Sequence, residues 1–237
     1  MRIRKFEAPP RQCDYLPEQI SKMVYAEVDE LTPEQYLQLI HSGWRRFGYW
    51  LFRPECPSCR ACQPIRVPVR DFKANRSQRR IIKQNAGVIK LVVGGPVIDD
   101  ARIRLYVDHH EHHAETRGWR PSEEGTTVQS IRNFTESPLP IQEWAFYLQE
   151  ELVAIAYVDQ LPNGYSGIYF YHSPAHRKYS LGNWICISMI QRAQELGFDY
   201  VYFGYYIKGN ISMEYKAAFA PNQILHDDGI WHDFISG

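Results

Sequence analysis

The chain has 237 residues, 44% apolar and 23% charged, the mix of a soluble globular protein of one or two domains. At that length roughly 70–75% of the unfolded surface is buried on folding, which excludes a disordered chain and a stapled miniprotein. Lys+Arg and Asp+Glu both number 27, so the total charge announces no nucleic-acid binder.

The N-terminal Met-Arg-Ile-Arg-Lys-Phe-Glu-Ala-Pro-Pro has no apolar run behind its basic residues and does not read as a signal peptide. No stretch approaches the length of apolar sequence that a membrane span needs. Five cysteines without a secretory signal fit a reducing compartment, and a cytoplasmic chain is expected. Thr32-Pro33 opens a helix, with Thr32 as its cap and Pro33 at the first helical position. Gly43 ends it. The aromatic, basic run from Trp44 to Phe52 reads as strand and turn. Cys56-Pro57-Ser58-Cys59-Arg60-Ala61-Cys62 follows, then a strand, Ile65 to Val69, placed near a sheet edge because of Pro68. Asn75 caps a helix to Asn85. Gly94-Gly95-Pro96 is a turn, and the boundary is placed there: residues 1–95 form a cysteine-containing basic module, residues 96–237 a second domain.

A helix is expected from near Asp99 to His113, a loop through Gly118, Pro121 and Gly125, and a shorter helix from Val128 to Phe134. Strands follow at Trp144 to Leu148, Glu151 to Val158 and Tyr165 to Tyr171. A helix from Leu181 to Leu196 and a strand from Tyr200 to Tyr206 complete an α+β order.

Three of the five cysteines fall within seven residues. That spacing favours thiolates converging on zinc or an iron–sulfur cluster, with Cys13 as a fourth ligand to Cys56, Cys59 and Cys62; free or redox-active thiols are the alternative. Cys186 lies among apolar residues and reads as a core thiol. Between Arg60 and Lys90 there are nine basic residues and one acid, Asp71. Within that block Arg76, Arg79, Arg80 and Lys83 fall on one helix face. Like charges at a helix N-terminus oppose its dipole, so the stripe suits an anion such as a nucleic-acid phosphate, with a solvated face as the alternative. The run Asp108-His109-His110-Glu111-His112-His113 lacks the His-Glu-x-x-His spacing of zinc proteases and reads as a partly solvated helix face. Arg177-Lys178-Tyr179-Ser180-Leu181-Gly182, between a strand and a helix, approximates the turn by which GNAT acyltransferases hold a pyrophosphate, with Ser180 replacing the first glycine.

Several segments together resemble the bacterial aspartate/glutamate leucyltransferases, members of the aminoacyl-tRNA–protein transferase family. They are Cys13-Asp14-Tyr15-Leu16-Pro17, Gly43-Trp44-Arg45-Arg46-Phe47-Gly48, the cysteine turn after Arg53-Pro54, and Arg66 to Arg80. The second half adds Ser180-Leu181-Gly182, Tyr200 to Ile207 and Met213 to Pro221. The family usually carries an acid where this chain has Tyr171-His172-Ser173-Pro174.

The resemblance implies a GNAT-like acyltransferase domain behind the cysteine-containing module. It implies transfer of leucine from leucyl-tRNA to proteins with an N-terminal Asp or Glu, a tag for N-end-rule degradation. The acceptor α-amine has a pKa of roughly 7.7–8.0, so much of it is neutral and positioning can supply most of the catalysis. No cofactor is required for that chemistry. Tyr169, Tyr171, His172 and Ser180 are the candidate catalytic groups. Arg45, Arg46, Arg76, Arg79, Arg80 and Lys83 are the candidate tRNA contacts, and Lys216 is the candidate for the acidic N-terminal residue. No DNA or membrane partner is expected. Arginine transfer is the alternative, followed by a coenzyme A-dependent N-acetyltransferase and a non-catalytic tRNA-binding metalloprotein.

Overall fold

The computed structural model describes residues 3–119 and 125–234. The first strands, β1 (Ile3–Glu7), β2 (Arg11–Gln12), β3 (Ile20–Ser21) and β4 (Met23–Val28), precede helix α1 (Pro33–His41). Thr32 starts α1 as a capping box: its hydroxyl accepts from the Gln35 amide, and the Gln35 side chain accepts from the Thr32 amide. Tyr36 and Ile40, one turn apart, bury against Val24, Ala26 and Val28. The hairpin β5 (Arg45–Phe47) and β6 (Trp50–Pro54) completes a four-stranded sheet of order β1-β4-β6-β5.

Next come β7 (Gln63–Pro68), α2 (Arg76–Asn85) and β8 (Ile89–Gly94), then α3 (Asp100–Arg117) and α4 (Thr127–Thr135). The long strands β9 (Ile141–Leu148), β10 (Glu151–Leu161) and β11 (Gly164–His172) form a meander. A 3₁₀ turn at Pro174–Tyr179 leads into α5 (Leu181–Glu195) and β12 (Tyr200–Tyr206). The short α6 (Ile211–Glu214), β13 (Gln223–Leu225) and β14 (Trp231–Asp233) end the described chain. The main sheet runs β14-β13-β7-β12-β11-β10-β9-β8. The fold is α+β with mixed sheets.

β10 shows why this sheet is the core. Ala154, Ala156 and Val158 face α2 and α5, while Ile155 and Tyr157 face α3 and α4, so a strand buried on both sides alternates between two clusters. Its register against β11 shifts between Tyr157 and Val158, a bulge that re-aims the strand. β11 and β12 are parallel, paired from Gly164–Ser166 to Tyr200–Tyr202 and no further. Gly164 is required there, because a Cβ would stand 1.8 Å from the Tyr200 carbonyl oxygen. Beyond that pairing the two strands part.

Three expectations change. β7 is an interior strand, not an edge: β12 and β13 flank it. Pro68 is tolerated because it ends the strand, and β13 pairs only with Ile65 and Arg66. The main sheet takes β7 and β8 from before residue 95 and β9 to β12 from after it. Helix α3 runs a turn beyond His113 to a left-handed Gly118. Pro121 of the expected loop lies outside the described residues.

Candidate active site

The opening between β11 and β12 is held by a buried guanidinium. Arg45 Nη2 donates to the Gly167 carbonyl at 2.6 Å. Gly204 on β12 adopts a positive φ of 81°, where the register against β7 shifts, and lies against the Arg45 side chain. Next to it, Arg46 makes a two-toothed contact with Asp159 on β10, Nη2–Oδ1 2.5 Å and Nε–Oδ2 3.2 Å, and Nη1 donates to the Gly48 carbonyl. Arg45 and Arg46 are therefore interior residues, 6% and 3% exposed. They hold the strand opening and the sheet junction, and the expectation that they meet tRNA phosphates is corrected by that burial.

On the α3 side of the opening lies a cluster of imidazoles and phenols. Tyr169 and His110 are hydrogen-bonded, hydroxyl to Nε2, at 2.6 Å. Phe134 stacks on Tyr169 with ring centroids 4.2 Å apart and planes within 5°, and Tyr106 stacks on His110 at 4.1 Å. Tyr171 and Tyr157 share a hydroxyl–hydroxyl hydrogen bond of 3.1 Å. The His172 amide donates to His109 Nδ1 at 3.2 Å, and the His172 ring lies 4.8 Å from that of His109. His113 Nδ1 donates to the His109 carbonyl, 2.9 Å.

Burial is the first cause of every pKa shift here. It pushes Tyr169, Tyr171 and Tyr157 above the ordinary phenol range. It lowers His110 and His172 to about 4 and His109 to about 2. Neighbouring imidazoles add to the lowering. Near neutral pH the cluster is thus protonated phenols facing neutral imidazoles, a set able to donate and accept protons without carrying charge.

The expectation of a partly solvated histidine face is overturned for His109 and His113, which are 4% and 6% exposed. Their i, i+4 spacing, continued backwards through Tyr106, Leu105 and Arg102, was the signal for a buried face.

Gly182 at the start of α5 lies against His172, where a Cβ would stand 3.4 Å from Nε2. Ser180 takes the left-handed conformation, φ 50°, that a glycine would adopt at this turn, and its side chain does not cap α5.

Cys13, Cys56, Cys59 and Cys62 line one cavity of about 510 Å³. Burial, and then the other three sulfurs, push the Cys62 thiol up to about 12. Among the described residues no group of three or more His, Cys, Asp or Glu is drawn together as ligands of one ion. The four sulfurs share one wall of that cavity, close enough for the other three to act on Cys62. Cys186 is fully buried in the main core, as expected.

Lys216 is also interior, 7% exposed. Its Nζ donates to the Tyr205 carbonyl at 2.6 Å, and burial, reinforced by Arg45, brings its pKa down to about 7. On the outside, Arg76, Arg79, Arg80 and Lys83 are all exposed on α2. Asn75 caps that helix as a capping box with Gln78, and Asn85 and Gln84 tie it to the turn before α5.

Two family models match the chain, the arginine-tRNA-protein transferase N terminus over residues 11–80 and its C terminus over residues 101–226. The aspartate/glutamate leucyltransferase of Campylobacter jejuni is 32% identical over 220 residues, 90% of this chain and 89% of that one. The enzyme of the same description from Pseudomonas fluorescens is 33% identical over 226 residues, 94% of each. The chain belongs to the arginine-tRNA–protein transferase family. Both halves of this transferase contribute to the site. The N-terminal match carries all four cavity cysteines, Arg45, Arg46 and the first half of α2, and the C-terminal match carries the histidine–tyrosine cluster, Ser180 and Lys216. Of solved structures, FemX is similar over 92% of this chain and 84% of its own, at 9% identity and a TM-score of 0.47. No helix of the described residues is long and apolar enough to cross a membrane.

Proposed function

We propose that this transferase moves leucine from leucyl-tRNA to the α-amine of proteins beginning with Asp or Glu. The observation that carries the reading is similarity along nearly the whole chain to enzymes of that description, at 32–33% identity. We read β9 to β12 with α3 to α5, together with β7 and β8 of the same sheet, as a GNAT-like transferase domain. The parallel pair that parts after Ser166 and Tyr202, the bulge in β10, and the glycine-like turn at Ser180 support this.

In this reading the amine nitrogen attacks the ester carbonyl, the new C–N bond forms, and the C–O bond to the terminal ribose breaks. The nitrogen loses a proton and the departing oxygen gains one. Tyr169, kept protonated by burial, gives its proton to that oxygen while its own oxygen takes the proton the amine loses, and His110, hydrogen-bonded to it through Nε2, holds the hydroxyl in place. Tyr171 and His172 orient the pair. The exposed α2 cations receive tRNA phosphates. Lys216 remains our assignment for the acidic side chain, because no carboxylate among the described residues pairs with it.

The test is a transfer assay crossing leucyl-tRNA and arginyl-tRNA with peptides beginning Asp, Glu, Lys or Ala. Leucine should pass to Asp and Glu peptides. Arginine transfer without leucine transfer would replace the donor, and acetyl-coenzyme A activity alone would remove the reading.

A further inference from the structure

We propose that Phe134 is a positioning residue for Tyr169, and that the turn after β5 in the small sheet sets where Phe134 stands. The inference rests on the leucine-transfer reading with Tyr169 at the ester, and adds what holds its hydroxyl in place.

Two contacts fix Tyr169. His110 Nε2 holds the hydroxyl at 2.6 Å, and Phe134 covers one face of the ring, with centroids 4.2 Å apart and planes within 5°. The hydrogen bond restrains the oxygen along one line, whereas the stack restrains tilt of the ring. Tyr106 and Tyr171 stand 6.3 and 6.2 Å away and are tilted by 43° and 36°, so neither lies flat on Tyr169. The phenol oxygen is the ring atom farthest from the backbone and moves most if the ring tilts. A displacement of about 1 Å at a reacting centre costs roughly 10²-fold in rate.

Phe134 is in turn placed from the N-terminal half. It is a buried residue of the nine-residue α4, and Phe47 of β5 meets it edge to face, at 4.8 Å and 88°. The next residue, Gly48, has a φ of 59°, and its backbone lies on the end of α4. A Cβ there would stand 2.6 Å from the Asn133 carbonyl oxygen and 3.2 Å from that of Glu136. Backbone against backbone leaves no side chain to yield, so the turn fixes α4 at the residue next to Phe134. The turn itself is tied down. Its Gly48 carbonyl accepts from Arg46 Nη1 at 2.8 Å, and Arg46 is bridged to the buried Asp159 of the main sheet. Two ring contacts thus carry the position of β5 to Tyr169.

A double-mutant cycle tests this. Phe134→Leu keeps an apolar side chain and removes the flat face. It should lower kcat about tenfold or more, with KM for leucyl-tRNA and for the peptide unchanged. In the Tyr169→Phe background no hydroxyl remains to be positioned, and the same change should lower kcat about twofold or less. Phe47→Leu, at a half-buried position, should show the same pattern with a smaller loss, and it carries the test if Phe134→Leu does not fold. Rates are read below the melting temperature of each variant.

Equal losses in the two backgrounds would make Phe134 a packing residue and overturn the inference, leaving Tyr169 as the catalytic group. Coupling at Phe134 without coupling at Phe47 would overturn the role of the turn. Wild-type kcat in Tyr169→Phe alone would remove the Tyr169 reading, and the positioning with it.

Discussion

Tyr169 and His110 face each other across 2.6 Å, and burial acts on both in the sense that keeps the proton on oxygen. A Tyr169→Phe variant keeps the Phe134 stack and removes only the hydroxyl. It should lower kcat by about 10²-fold, the scale of one acid–base group, with the peptide KM unchanged. A fall in KM-dependent terms alone would make Tyr169 a packing residue. The same burial has a cost in acid. Unfolded histidine titrates near roughly 6.5, whereas His110 and His172 titrate at about 4 and His109 at about 2 when folded. Between those values the unfolded chain binds more protons, so stability falls as pH drops. Thermal melts should decline already between pH of about 6.5 and 5, above the range of ordinary carboxylates, and less steeply in His172→Gln. Of this cluster the sequence made Tyr169, Tyr171 and His172 legible as candidates through their strand position. His109, His110 and His113 were not, because an imidazole next to Asp108 and Glu111 looks hydrated until the strand that covers it is known.

At the scale of elements, α2 shows what local chemistry makes readable. Asn75, the basic stripe and the buried Ile81 are near neighbours in sequence, and the helix forms where the pattern puts it. α1, α5 and the β9–β11 meander were legible for the same reason. β8 was missed although Ile89, Leu91, Val92 and Val93 have strand chemistry, because Gly94-Gly95-Pro96 drew the segment into a turn. β13 owes its place to β7, a partner far earlier in the chain, and no local pattern encodes that. The α2 stripe has no acid in its first turn to offset the dipole. If it receives tRNA phosphates, Arg79→Gln with Arg80→Gln should weaken tRNA binding and flatten the slope of log affinity against log salt by roughly 0.7–0.9 per lost contact. A folded double variant with the wild-type slope would return α2 to a solvated face. A penalty confined to the KM of Asp and Glu peptides would move those arginines to the protein substrate.

At the scale of the molecule, two sheets meet at one buried ion pair. Arg46 belongs to β5 of the small sheet and Asp159 to β10 of the main one, and both side chains are essentially inaccessible, 0% and 1%. The cavity and the strand opening lie where these sheets join, so the pair fixes the N-terminal wall relative to the histidine–tyrosine cluster. Desolvating both charges leaves little net stability in the intact pair, but removing one partner strands the other. Asp159→Asn should therefore destabilise the fold by about 3–5 kcal/mol in urea unfolding. Arg46→Met with Asp159→Leu, which removes both charges and restores apolar volume, should cost less than that single change. Leucine transfer separates the two roles of the pair. If it only stabilises, the folded double variant keeps wild-type kcat/KM for leucyl-tRNA below its melting temperature. If it sets the distance between the cavity and Tyr169, kcat/KM falls while the melting temperature holds, because a displacement of about 1 Å at a reacting centre is enough to cost roughly 10²-fold in rate.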